Sequence, residues 1–273
     1  MKKSLRVLLG SCALMGFSVA SHATIVTDWT ATISGTWTSY SSGVVSSNNG
    51  TVLSWGTPAG NDGKSSLTIT NPPKKETVTT YIGSGIPPAS YTAASNTLTH
   101  HNAPITGTSL TSATLTDKIT LTPKDPAGSA LPAFTFDFNI AFLETPNVAG
   151  HCPAASPPNN PCNDIFVLLG GLPSFNFVYD DQSYLVNLFS TSGGTLSTLS
   201  DTACAAVNAV NSLAPASGCL GFTTQENKTT KLAFGFTIST VPVSNNVPEP
   251  GSIALFGVAL LGLAVTRRRY RMR

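Results

Sequence analysis

Charged side chains are scarce in this chain of 273 residues. They make up 10% of it, whereas about 25% is typical of soluble domains. Scarce charge accompanies disorder only when hydrophobicity is also low, and here 41% of the residues are apolar, with thirteen Phe, six Tyr and three Trp in the chain. The composition therefore argues against an ordinary cytosolic enzyme, but it is sufficient for a packed core.

The motifs of common enzyme classes are missing as well. The sequence has no GxSxG nucleophile elbow, no HExxH zinc motif and no phosphate-binding glycine loop. Only His100, His101 and His151 remain as general bases in the part expected to be exported. We therefore expect no enzymatic activity, no catalytic residue, no cofactor and no bound metal.

The basic residues lie mostly at the two ends of the chain. Residues 24–247 hold seven basic and twelve acidic side chains, so this part is mildly acidic. A nucleic-acid-binding domain needs a basic stripe that neutralises phosphates. We therefore exclude nucleic acid as a partner.

Residues 1–23 have the order of a secretory signal peptide. Three basic residues precede an apolar stretch over 7–20, which is shorter than the roughly 20 residues of a normal membrane span. We therefore predict cleavage after Ala23 by signal peptidase and export by the general secretion machinery. A lipoprotein-type cleavage before Cys12 is the alternative.

Residues 247–273 combine a proline-flanked acidic motif, an apolar helix predicted over 252–266, and an Arg-rich tail. The helix would be about 20–24 Å long, shorter than the hydrocarbon core of about 30 Å. Arginines after the helix would retain the C-terminus in the cytoplasm. The segment is either a temporary membrane anchor that is later removed or a permanent tail anchor. The motif and retention residues are Pro248, Glu249, Pro250, Arg267, Arg268 and Arg269.

This combination resembles the PEP-CTERM sorting signal of Gram-negative bacteria that produce exopolysaccharide. The resemblance implies recognition by an exosortase-type membrane transpeptidase, which cuts near the motif and releases or re-attaches the protein. It also implies a transient stay in the inner membrane, followed by delivery to the cell surface or extracellular matrix. A GPI signal works in a similar way, because its hydrophobic tail is removed and is absent from the mature protein.

Four cysteines remain after the predicted signal peptide is removed, and disulfides persist in exported proteins. They are Cys152, Cys162, Cys204 and Cys219. Three pairings are possible, and proximity favours Cys152 with Cys162 and Cys204 with Cys219. A metal centre is the weaker alternative, because the sequence has no CxxC pair.

Alternation of apolar and polar residues predicts β-strands through residues 24–241. About nine to twelve strands without an internal repeat favour one β-sandwich or jelly-roll-like domain. One short helix is predicted over 201–213, with Asp201 as its N-cap. A linker over 242–246 then precedes the sorting segment. The predicted strands cover 25–33, 65–70, 76–82, 114–122, 133–143, 164–169, 175–179, 184–189 and 231–240.

The segment Thr99, His100, His101, Asn102 is the one local cluster that stands out. Neighbouring side chains on a strand point to opposite faces, so His100 shares its direction with Asn102, and His101 with Thr99. The favoured interpretation is structural, with both imidazoles bonded to the backbone in a turn before Pro104. A metal or ligand site is the alternative.

Thr99, His100 and Asn102, followed by Pro104 and Ile105, resemble the signature of the THxN family of PEP-CTERM proteins. The tryptophan-bearing start of the domain and the segment 142–147 fit the same resemblance. The family implies an exported surface or matrix protein of unassigned biochemical activity. The resemblance therefore indicates where the protein is delivered, and it does not indicate a chemical reaction.

Carboxylates and aromatic residues are the remaining candidates for a site. A glycosidase needs two facing carboxylates about 5–10 Å apart, and the candidates are Asp137, Glu144, Asp164, Asp180 and Asp181. A Ca²⁺ loop at Asp180 and Asp181, with Gln182 and Ser183, is a further option. A sugar-stacking platform would use Trp29, Trp37 and Trp55. For all of them the favoured interpretation is structural, as solvated carboxylates and core aromatics.

These observations predict a non-catalytic protein of the cell surface or exopolysaccharide matrix that is a substrate of an exosortase-type system. Its expected partners are the export and sorting enzymes, the inner membrane and exopolysaccharide. The alternative is a carbohydrate-binding module, or a glycoside-active enzyme, that acts on the cell's own polysaccharide. A permanently anchored membrane protein is a third possibility.

Overall fold

The computed structural model describes residues 24–70, 73–214 and 218–240, and within these ranges it has sixteen strands and one α-helix. A short 3-10 helix covers Ala89–Tyr91. In chain order the elements are β1 (Asp28–Tyr40), β2 (Val45–Ser47), β3 (Val52–Trp55), β4 (Thr57–Pro58), β5 (Ser65–Thr70), β6 (Lys74–Tyr81), β7 (Ala93–Asn102), β8 (Ile105–Thr106), β9 (Ser112–Asp125), β10 (Phe134–Leu143), β11 (Asp164–Leu169), β12 (Ser174–Tyr179), β13 (Gln182–Ser190), β14 (Ser197–Thr198), α1 (Asp201–Val210), β15 (Leu220–Thr224) and β16 (Lys228–Thr240).

The strands form two layers. The first has the order β14-β15-β11-β10-β9-β1-β6, and the second has the order β12-β13-β16-β7-β5-β3-β2. A short parallel pairing of β6 with β16 joins them, whereas the other strand pairs are antiparallel within the described residues. Strands β4 and β8 form a separate two-stranded sheet. The expected all-β sandwich with one short helix is confirmed.

The core lies between the two layers. Trp29 of β1 is fully buried and meets Phe177 and Tyr184 of the second layer edge-on, at centroid distances of 5.3 and 5.2 Å. Phe138 of β10 likewise faces Phe234 of β16. Strands supply these residues because every second side chain points to the same face.

All nine predicted strands coincide with observed ones, but the expected number of nine to twelve is too low. The largest omission is β7, whose inner face mixes apolar with polar side chains and so lacks a clear period. Strands β2, β4 and β8 have only two or three residues, which is too few to show any period.

The helix is shorter than predicted, and its cap is a different residue. It ends at Val210, and Ser200 is the N-cap, with its hydroxyl accepting a hydrogen bond from the Ala203 N–H. Asp201 is the first helical residue, and its Oδ1 accepts from the N–H of Gly218 at 3.3 Å. Ser200 takes the capping position because its backbone is extended, as an N-cap requires.

Candidate functional site

The residues 99–102 lie where β7 ends. His100 and Asn102 are fully buried, whereas Thr99 and His101 are half-buried on the other face. The predicted division of the four side chains between two directions is confirmed. The predicted turn is wrong, because these residues continue β7 and pair with both β5 and β16.

Three acidic side chains gather near His100 at this end of the sandwich. Glu144 directly follows β10, Asp164 begins β11, and Glu226 lies between β15 and β16. Antiparallel pairing places these strand ends side by side. We define the carboxylate cluster as His100, Asn102, Glu144, Asp164, Thr224 and Glu226.

Glu144 and Asp164 lie close enough for each carboxyl group to influence the ionisation of the other. Burial raises the pKa of Glu144 to about 7, while its hydrogen bond from Trp55 opposes the rise. Burial and the neighbouring Glu144 charge raise the pKa of Asp164 well above its usual range. The backbone N–H of Thr145, 2.8 Å from Asp164 Oδ1, partly offsets this. The two groups therefore titrate as a pair.

Glu226 lies beside this pair and is 3% exposed. Burial raises its pKa, and both of its carboxylate oxygens lack a hydrogen bond of normal geometry, although the N–H of Asn227 lies close by. Asn102 donates from Nδ2 to the Thr224 carbonyl at 3.0 Å. The other polar atoms of these two side chains, Asn102 Oδ1 and Thr224 Oγ1, are buried without hydrogen-bond partners.

His100 is enclosed by aromatic rings. The Trp55 ring stacks on it with centroids 5.9 Å apart, and Phe142 contacts it edge-on at 5.1 Å. Burial lowers the pKa of His100 to about 3, so the ring is neutral at neutral pH. Its Nε2 lies 3.9 Å from Asp164 Oδ2, which is too far for a hydrogen bond, and neither ring nitrogen has a partner. The predicted bonding of this imidazole to the backbone is therefore wrong.

His101 lies on the opposite side of β7 and does make contacts. Its Nδ1 is 3.2 Å from Thr229 Oγ1, and its Nε2 is 3.3 Å from the Asp62 carbonyl. The structural interpretation therefore suits His101, whereas His100 belongs to the carboxylate cluster.

The three tryptophans are core residues. Trp29, Trp37 and Trp55 are 0%, 4% and 0% exposed. They cannot form a row for stacking sugars on the surface of the folded domain, so the platform interpretation is wrong and the core interpretation is confirmed. Trp55 also donates from Nε1 to Glu144 Oε2 at 2.8 Å, which ties β3 to the carboxylate cluster.

The other candidate carboxylates lie elsewhere. Asp137 is exposed on β10 and accepts a hydrogen bond from Thr116 at 2.6 Å. Asp180 and Asp181 form the exposed two-residue turn between β12 and β13, where both have positive φ. Glu144 and Asp164 come from separate segments and are brought together at the end of the sandwich.

The cysteines form the two pairs that proximity favours. Cys152 and Cys162 have Cα atoms 5.2 Å apart, and Cys204 and Cys219 have theirs 5.8 Å apart. The first disulfide closes a loop between Glu144 and Asp164, and Thr145 Oγ1 donates to the Cys162 carbonyl at 2.7 Å. The second ties α1 to the residue before β15. The first bridge therefore restrains the loop that carries two of the acidic residues.

Both terminal signals lie outside the described residues. They comprise the signal peptide over 1–23, the predicted helix over 252–266 and the sorting residues. The sorting residues are Pro248, Glu249, Pro250, Arg267, Arg268 and Arg269. Within the described ranges, no helix is both long and apolar enough to cross a membrane.

Comparison with known families gives one finding. Residues 246–269 match the family model described as the PEP-CTERM protein-sorting motif. No curated protein matches the chain. The chain therefore carries a PEP-CTERM sorting signal, which implies export and processing by an exosortase-like system.

Proposed function

We propose that the chain is an exported, non-catalytic component of the cell surface or exopolysaccharide matrix. The match of residues 246–269 to the sorting motif carries this proposal. Signal peptidase removes residues 1–23, the apolar segment predicted as a helix over 252–266 holds the protein briefly in the inner membrane, and an exosortase-type transpeptidase then cuts near Pro248–Pro250. The C-terminal segment is thus a temporary membrane anchor that is removed, rather than a permanent one.

We also assign the chain to the THxN type of PEP-CTERM protein. Thr99, His100 and Asn102 supply the signature, and the positions of the two buried members support the assignment. His100 stacks on Trp55, and Trp55 donates a hydrogen bond to Glu144. The three segments of the sequence that carry the resemblance are therefore in contact in the folded domain.

The burial of the carboxylate cluster supports a non-catalytic role. His100 and Asp164 are 0% and 1% exposed, so a polysaccharide cannot reach them in the folded domain. A general acid or base must lie within hydrogen-bonding reach of its substrate. The two disulfides support an oxidising destination, because such bonds persist outside the cytoplasm.

Intact-mass measurement tests the sorting part of the proposal. Protein is purified from the medium and from the membrane fraction of a host that encodes the processing enzyme. We expect loss of residues 1–23 and of the segment beyond about Val247 in the medium. A variant with Glu249→Gln and both flanking prolines changed to Ala should keep its tail and remain in membranes. Retention of Arg273 on mature wild-type protein would contradict the proposal.

A second assay tests the absence of catalysis. Purified protein is incubated with the host exopolysaccharide, and newly formed reducing ends are measured for the wild type and for Glu144→Gln. We expect no release by either protein. Release that is lost in Glu144→Gln would replace the proposal by the glycoside-active alternative.

A further inference from the structure

Strand β12 forms an open edge of the second layer. It pairs with β13 on one side, and none of the described strands pairs with its other side. A free strand edge presents backbone N–H and C=O groups to which another strand can bond. We call the free side of Ser174–Tyr179 the β12 edge.

The hairpin turn determines which backbone groups of β12 are free. Residues 180–181 form a two-residue turn with positive φ at both positions, so Tyr179 and Gln182 exchange both of their backbone hydrogen bonds. Such pairs recur at every second residue, and the bond from the Leu188 N–H to the Pro173 carbonyl, at 3.2 Å, follows the same alternation. The backbone groups of the residues between them therefore point away from β13. These residues are Ser174, Asn176 and Val178, and all three are exposed.

The other strands that end the two layers are protected against pairing. Strands β14 and β2 have only two and three residues. Strand β6 pairs with β16 only at its last two residues, and the rest of its outer edge carries Lys74, Lys75 and Glu76. Short strands and charged side chains are common means of preventing edge-to-edge association. Strand β12 uses neither of them, because its six residues include no charged side chain and no proline.

Apolar side chains flank the β12 edge on both faces of the strand. On the inner face, Phe175 packs against Phe134 and Phe136 of β10, with ring centroids 4.7 Å away in both cases. All three rings are only half-buried. On the outer face, Val178 is 64% exposed. Covering this surface would favour association through the hydrophobic effect.

A second copy of the chain matches this edge by symmetry. A two-fold axis at Asn176 places Asn176 opposite its own counterpart and Ser174 opposite Val178 of the other copy. The outward groups then form about six backbone hydrogen bonds. Antiparallel pairing also keeps the acidic turns 180–181 of the two copies at opposite ends, whereas parallel pairing would bring these like charges together.

We propose that the β12 edge is a self-association surface, at which two copies of the chain pair antiparallel about an axis at Asn176. The second layers of both copies then form one continuous sheet. Phe175 lies opposite Phe177 of the other copy, and aromatic pairs across strands stabilise a sheet. The inference adds an assembly to the exported protein and does not depend on its sorting signal.

Sedimentation equilibrium of the protein purified from its host tests the proposal. Over about 1–100 µM, which suits small interfaces of modest affinity, we expect the mass to rise from one chain towards two. Asn176→Lys should raise the dimer dissociation constant about fivefold, because two like charges then lie directly opposite each other. Asn139→Lys is the matched control, since it is exposed on β10 inside the first layer and should leave the constant unchanged. Both variants should keep the wild-type unfolding midpoint at the lowest concentration.

Cysteine substitution tests the register of the pairing. Facing Cα atoms of a hydrogen-bonded antiparallel pair lie about 5.5 Å apart, which a disulfide can span. Asn176→Cys should therefore oxidise to a covalent dimer that reductant reverses. Val178→Cys is the matched control, because its two copies lie about 13 Å apart along the strands. It should remain a single chain, whereas a mixture of Val178→Cys and Ser174→Cys should form a covalent dimer.

Three results would overturn the proposal. They are the mass of a single chain at every concentration, equal dissociation constants for Asn176→Lys and Asn139→Lys, and equal yields of covalent dimer from Asn176→Cys and Val178→Cys. Processing of the tail is measured separately, so the proposed function and the self-association can each fail without the other.

Discussion

The indole nitrogen of Trp55 donates a hydrogen bond to Glu144 Oε2 at 2.8 Å, joining the last residue of β3 to the residue after β10. These positions are 89 residues apart in the chain. The bond connects the two layers of the sandwich at the end where the carboxylate cluster lies.

Trp55→Phe should destabilise the domain through loss of this bond. Trp37→Phe is the matched control, because the Trp37 indole nitrogen is buried without a partner. Both changes remove the same atoms, so their difference isolates the hydrogen bond. We expect Trp55→Phe to cost about 1–3 kcal/mol more in the free energy of unfolding, measured with urea. Equal losses would show that the bond contributes nothing.

Asp117 should make the domain less stable as pH rises. It faces the core from β9, is 4% exposed, and accepts a hydrogen bond from Asn96 Nδ2 at 2.9 Å. Burial raises the pKa of Asp117 to about 7, against a bond from Asn96 that lowers it. The unfolded chain therefore releases this proton near pH 4, whereas the folded domain holds it until about pH 7.

The contribution of Asp117 is most favourable below pH 4, declines between pH 4 and pH 7, and is constant above. Asp117→Asn should remove this part of the decline and stabilise the domain at pH 8 by about 2–4 kcal/mol. Urea unfolding at pH 4.5 and pH 8 measures it. Asp137→Asn, at an exposed position on β10, is the control and should leave the pH dependence unchanged. Identical profiles for Asp117→Asn and the wild type would contradict the prediction.

Gly35 of β1 lies directly against this buried pair. A Cβ atom at this position would collide with Asp117 Oδ1 and approach Asn96 Nδ2 to 2.8 Å. Gly35→Ala should therefore lower the free energy of unfolding by about 1–3 kcal/mol through overpacking. Gly60→Ala is the control, since nothing lies within 4 Å of its Cβ position. A wild-type midpoint for Gly35→Ala would show that the pair can move aside.

The two disulfides should each stabilise the domain through the unfolded chain. Their sequence separations of 10 and 15 residues correspond to about 3 kcal/mol each in the chain-entropy account. We expect Cys152→Ser with Cys162→Ser, and Cys204→Ser with Cys219→Ser, to lower the midpoint separately. Intact mass should rise by four hydrogens on reduction of the wild type. A smaller gain would mean that a bridge is absent in the native protein.

Sequence patterns predicted those parts of the fold in which burial follows a simple period. Phe138 and Ile140 of β10 alternate with polar residues and are buried, as the alternation requires. Strand β7 is not predicted by the hydrophobic pattern, because its buried positions include the polar residues Asn96, His100 and Asn102. Polar residues on the inner face of a strand are thus the main reason why a strand is missed by its hydrophobic pattern.

The carboxylate cluster was only partly predictable. Its members come from four separate segments, and only the pairing of strand ends brings them together. His100, Asn102, Glu144 and Asp164 were candidates from their residue types, but nothing local joined them. Glu226 lacked any signal, because an acidic residue between two strands usually lies in solvent. The family resemblance gave the one hint of this arrangement, because it includes both the tryptophan-bearing start of the domain, with Trp55, and the segment 142–147, with Glu144.

The last described strand pairs with three others: β16 bonds to β7, β13 and β6. It is also the link between the two layers, and it ends at Thr240, shortly before the sorting signal at 246–269. During export the chain emerges from its N-terminus, so an interior strand arrives last. The contacts of β16 with β7, β13 and β6 can therefore form only after the chain has emerged as far as Thr240, so the second layer is completed last.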